Sequence, residues 1–171
     1  MKERNIGNCL YFKPGYGLEL LRNQILGPER FDYAFREYIR RWAFKHPTPW
    51  DFFHTMENVA GEDLSWFWRG WFFENYKLDQ AIVSVKYENN LPANGAVVTL
   101  ANLEEMAMPV NITYETKSGK TGSLTLPVEV WNNTNTWKVK LPTTEELKEV
   151  EIDEARIFPD FNFSNNTWKG M

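Results

Sequence analysis

Apolar residues follow two different rules along this chain. Up to about Lys77 they recur at helical spacing. Leu18, Leu21 and Ile25 make a stripe between Gly15 and Ile25. Gly27 followed by Pro28 then reads as a helix stop and a helix start. From Pro28 to about Phe44, Phe31, Phe35, Tyr38 and Trp42 fall on one face, and Arg30, Asp32, Arg36, Glu37, Arg40 and Arg41 supply most of the polar remainder. A third helix opens at Thr48, with Pro49 at its first position and Asp51 three residues after the cap. Phe52, Phe53, Met56 and Val59 form its apolar face, and Gly61 ends it. A fourth, roughly Asp63 to Tyr76, carries Trp66, Phe67, Trp68, Trp71, Phe72 and Phe73 at spacings that suit packing.

After Leu78 the period changes from helical to alternating. Segments such as "AIVSVKYEN", "AVVTLANL" and "TWKVKLP" alternate apolar and polar positions between turn clusters at Asn89-Asn90, Ser118-Gly119 and Asn132-Asn133. Six or seven short strands in the last stretch predict an antiparallel Ig-like β-sandwich. The expected organisation is an α + β chain of two domains, a short helical bundle over residues 1–78 and a β-sandwich over 79–171. There is no internal repeat and no low-complexity segment.

Composition narrows the classes. Of 171 residues, 43% are hydrophobic, enough for a real core. A net charge of -4 argues against a nucleic-acid partner. Cys9 is the sole cysteine, so neither an intramolecular disulfide nor a cysteine-based zinc site can be built. No apolar run is long enough to span a bilayer, and the opening MKERNIGNC lacks the apolar core of a leader. It reads instead as the start of a fragment.

Catalytic equipment is sparse. His46 and His54 stand eight apart, outside the spacing of a helical zinc pair, and both read as structural or surface residues. Glu145-Glu146 reads as a solvated turn. Trp131, Trp137 and Trp168 offer an alternative to catalysis: aligned on one sheet face, they would make the β-half a binding or scaffold module for protein or carbohydrate.

One ordered series of motifs goes further. Tyr11-Phe12-Lys13-Pro14-Gly15, then Leu18-x-x-Leu21, "ILGPERFDYAFREYI" and "WAFKHPTPWDFFHTMENVAGEDLSWFWRGWF", resembles the later part of the catalytic domain of aminopeptidase N-like zinc peptidases, the gluzincins. The closing "FPDFNFSNNTW" is similar to the end of a Bacteroidota branch with a terminal β-domain. The resemblance covers nearly the whole chain. It departs from the family pattern at Pro14, where glycine commonly follows the lysine.

The resemblance implies a parent that hydrolyses peptide bonds near the N-terminus of peptides. In the family, a His-Glu-x-x-His helix and a later Glu hold zinc, and the tyrosine of Tyr-x-Lys donates its hydroxyl to the oxyanion. By position that tyrosine is Tyr11, with Tyr16 as rival, placed at the entrance of a helix. The zinc ligands lie upstream in the family, so zinc belongs to the parent and this chain is expected to hold no metal and to cleave nothing. The implied partners are the upstream catalytic half, a peptide substrate in the parent, and a second copy of the fragment through bared helical surface. The implied location is the periplasm or cell envelope.

Overall fold

The computed structural model describes residues 6–170; residues 1–5, part of the segment read as leaderless, lie outside them. The chain divides into two compact units, Met1–Asn75 and Tyr76–Met171. It is an α+β protein, helical in the first unit and a β-sandwich in the second. No helix among the described residues is long and apolar enough to cross a membrane.

The first helix starts earlier than its apolar stripe predicts. A π-helical turn Asn8–Phe12 runs without a break into α1 (Lys13–Leu20) and then into a second π-helical turn, Leu21–Ile25. Phe12, Lys13, Leu20 and Leu21 all hold right-handed helical angles. Pro14 therefore sits inside a continuous helix. The wide turn before it opens the backbone where the ring would otherwise meet a carbonyl one turn back.

Helix α2 (Pro28–Trp42) begins after Gly27, whose φ of 81° only glycine adopts freely. It ends two residues sooner than its aromatic spacing suggests, because the backbone leaves the helix at Ala43, with ψ 134°, and Phe44 follows at φ 61°. Its aromatic face is only partly covered: Phe31 is buried, and Phe35 stays exposed. Arg22 closes on Asp32 through Nε–Oδ1 at 2.7 Å and Nη2–Oδ2 at 2.9 Å, tying the second π-helical turn to α2. That bond, with the guanidinium's charge, holds the Asp32 carboxyl below its ordinary range.

Helix α3 (Pro49–Ala60) is built as its sequence predicts. The Thr48 N–H donates to Asp51 Oδ2 at 2.7 Å, and the Thr48 hydroxyl donates to the same oxygen. Gly61 closes the helix at φ 67°. Short α4 (Ser65–Trp68) continues into a π-helical turn, Arg69–Phe73. Phe53, Trp68, Phe67 and Trp71 pack ring on ring in this unit's core, with Phe53 and Trp68 centroids 4.6 Å apart and Phe67 and Trp71 5.9 Å apart.

The second unit holds β1 (Gln80–Tyr87), β2 (Ala96–Asn102), β3 (Val110–Thr116), β4 (Thr121–Leu126), β5 (Thr136–Lys140), β6 (Leu147–Ile152) and β7 (Thr167–Lys169). One sheet has the order β1-β2-β5 and the other β4-β3-β6-β7, with every named pair antiparallel. Alternation places Val98 and Leu100 of the first sheet in one core with Val110, Ile112, Val150 and Ile152 of the second. Leu147 N–H donates to the Tyr87 hydroxyl at 2.9 Å, a polar bond between the sheets.

Candidate functional site

Tyr11 lies within the π-helical turn that precedes α1, one turn inside the helix rather than at its entrance. Tyr11 is 72% exposed, and its neighbours Leu10 and Phe12 are exposed too. The rival Tyr16 is 39% exposed and tilts against Trp71, ring centroids 6.1 Å apart. One helix thus carries two phenols in different settings, Tyr11 presented outward and Tyr16 resting on the aromatic core.

Close to Tyr11 the helix is fastened by an indole. Trp71 Nε1–H donates to the Lys13 carbonyl at 2.8 Å. Gly17 is buried against the same ring: a Cβ there would stand 2.1 Å from Trp71 Nε1, inside any contact distance. The Lys13 ammonium reaches the Glu74 carbonyl at 3.5 Å, a long and weak bond. Lys13 thereby serves the helix mainly through its backbone. Gly17 is a packing device of this unit, Gly15 is exposed with open space beside it, and the Tyr11 phenol is exposed as well.

The two histidines do not join Tyr11 in a site. His46 is exposed in the connection between α2 and α3, and His54 is exposed on α3. His54 borders an apolar groove of about 360 Å³ whose other walls include Trp50, Phe53, Trp68 and Phe73. Among the described residues no three His, Cys, Asp or Glu side chains gather as ligands for a metal.

In the sandwich, Glu145 accepts hydrogen bonds from Ser118 and Lys120, and Glu146 pairs with Lys117 at 2.6 Å. The three tryptophans make no row. Trp131 is buried and donates Nε1–H to the Met108 carbonyl at 3.0 Å. Trp168 is half-buried against the core, and Trp137 alone is well exposed, on β5.

No family model matches the sequence, and no curated protein matches it. Among solved structures, the chain is similar to aminopeptidase A of Legionella pneumophila, solved in complex with aspartic acid. The likeness covers 85% of this chain and 16% of that one, with a TM-score of 0.59. At 14% identity it is a likeness of fold, and this chain spans about a sixth of the length of that aminopeptidase.

Proposed function

We propose that this chain is the C-terminal part of a zinc-dependent, aminopeptidase N-like metallopeptidase, in which Tyr11 donates its hydroxyl to the oxyanion formed at the scissile carbonyl. The observation that carries the reading is the likeness in fold to an aminopeptidase over 85% of the chain. The exposed Tyr11 on a helix fastened by Trp71 supports the assignment of the donor. An oxyanion donor must be held rigidly while its hydroxyl stays open to substrate. Tyr16, leaning on Trp71, is the poorer candidate.

Zinc, its ligands and the groups that hold a substrate's amino terminus belong to the upstream half of the parent. The 171 residues by themselves are assigned no peptidase activity. The sandwich is taken as an Ig-like support domain of the same polypeptide, and the parent as a periplasmic or envelope protein. The exposed Leu10, Phe12, Tyr33 and Ile39 are assigned to the contact with the upstream half.

The reading frame preceding Met1 tests this directly. A His-Glu-x-x-His motif followed by a further Glu is the expected finding. A frame without those ligands would overturn the peptidase assignment.

A further inference from the structure

The two sheets end in β1 and β5 on one side of the sandwich core and in β4 and β7 on the other. An end strand exposes a row of backbone N–H and C=O groups, and natural sheets blunt such rows with lysine, proline or brevity. Three of these strands follow that rule. β1 carries Lys86, β5 carries Lys138 and Lys140, and the three-residue β7 carries Lys169. β4 does not: its sequence TGSLTL holds no charge and no proline. The lysine just before it is engaged within the molecule, because Glu145 holds the Lys120 ammonium.

Which groups β4 leaves open follows from the alternation of an antiparallel ladder. The Thr116 N–H donates to the Lys120 carbonyl at 2.8 Å, so Thr116 and every second residue before it turn their backbone groups toward β4. Asn111, of the other parity, faces β6 and accepts the Asp153 N–H at 2.8 Å. Gly122, Leu124 and Leu126, opposite Tyr114, Ile112 and Val110, are therefore the β4 residues bonded to β3. The N–H and C=O of Thr121, Ser123 and Thr125 point the other way, and no backbone bond reaches them among the described residues. The same three residues are exposed.

We infer that β4 is the edge on which a second copy of this chain docks, strand against strand, so that two four-stranded sheets become one. Open backbone groups recognise an extended backbone. The choice of a second copy rests on how well β4 fits itself. Antiparallel pairing about a two-fold axis at Ser123 sets Ser123 against Ser123 and Thr121 against Thr125. Open residues then oppose only open residues, and every open group finds a partner. The facing side chains are hydroxyls, which pair favourably across strands, and no like charges meet within the ladder. Pro127, which has no N–H to give, stays outside it. The same operation on β5 would bring the lysines at 138 and 140 of two copies together. The inference uses the sandwich alone and does not rest on the peptidase reading.

A strand pair of this length buries less than the roughly 1,200 Å² of stable complexes, so the dimer forms at concentrations on the order of 0.1 mM. The test is amide hydrogen exchange of the whole chain by NMR from about 50 µM to about 1 mM, with sedimentation equilibrium over the same range. The amides of Thr121, Ser123 and Thr125 are expected to slow by about threefold or more as the dimer forms. Ser123→Lys sets two ammonium groups against each other at the axis. Ser123→Pro removes an open N–H and no bond to β3. Each is expected to abolish the concentration dependence at these amides. Leu10→Glu, on the helical unit, is expected to keep it. A strict monomer up to about 1 mM overturns the inference. So does a dimer that leaves the three amides unprotected, or protection that survives Ser123→Lys. Protection found only in a monomeric protein from the complete reading frame would give the edge to the upstream half, and would equally overturn the assignment to a second copy.

Discussion

Gly17 and Trp71 are in contact so close that no side chain fits between them. A Cβ on residue 17 would overlap the indole, whose Nε1–H is donated to the Lys13 carbonyl one turn earlier. Gly17→Ala is expected to force the ring outward and to cost about 1–3 kcal/mol by overpacking. Chemical denaturation of the two proteins checks this. A neutral or stabilising alanine would mean that helix propensity outweighs the contact.

Tyr11→Phe separates folding from chemistry. Tyr11 is 72% exposed, so loss of its hydroxyl is expected to change the stability of this chain by less than about 0.5 kcal/mol. A larger loss in urea unfolding would show that the phenol is a structural group and not a presented one.

The cap of α3 predicts an acid dependence. The Thr48 N–H, and then its hydroxyl, bonded to Asp51, hold that carboxyl below its ordinary range. A group whose folded pKa is depressed contributes its stability in full above its ordinary pKa, about pH 4, and loses it as pH falls through the lower folded value. Asp51→Asn is therefore expected to lower Tm at pH 6 and to converge with wild type near pH 2. A gap that stays constant from pH 6 to pH 2 would contradict this.

How much of this was readable beforehand depends on how local the cause is. The cap at Thr48 and Asp51 with its stop at Gly61 is written in adjacent residues and forms as read. Strand alternation likewise places Val98, Leu100, Ile112 and Val150 inward. The first helix is misread at its start because Pro14 is an ordinary first-turn signal, and nothing in the sequence announces the wide turn that admits it mid-helix. The purpose of Gly17 is equally hidden, since Trp71 lies 54 residues away and approaches only in the folded unit. The bond from the Gln80 N–H to Asp160 is hidden in the same way, at a separation of 80 positions. Tyr11 is singled out by an ordered series of motifs that carries no sign of its position inside a helix.

Trp131 shows the same limit in the sandwich. A candidate for a binding row only if aligned with Trp137 and Trp168 on one sheet face, it is buried with its N–H on the Met108 carbonyl. Trp131→Phe leaves that carbonyl without its donor and removes part of a packed ring, so a loss of about 1–3 kcal/mol is expected. An unchanged midpoint in guanidinium would place the indole outside the cooperative core.

Bared apolar side chains predict self-association. Leu10, Tyr11, Phe12 and Tyr33 are exposed on the helical unit, and the 171-residue chain is expected to dimerise or aggregate as its concentration rises. Light scattering across a hundredfold concentration range checks it; a strict monomer throughout would count against an upstream partner for this surface.

The most direct test of the central claim is kcat of the protein encoded by the complete reading frame, measured on an aminoacyl-arylamide with Tyr11 intact and as Tyr11→Phe. A loss of about 100- to 1000-fold in kcat, with Tyr16→Phe changing it far less, is the result expected of an oxyanion donor. Equal kcat for the wild type and Tyr11→Phe would remove Tyr11 from the chemistry.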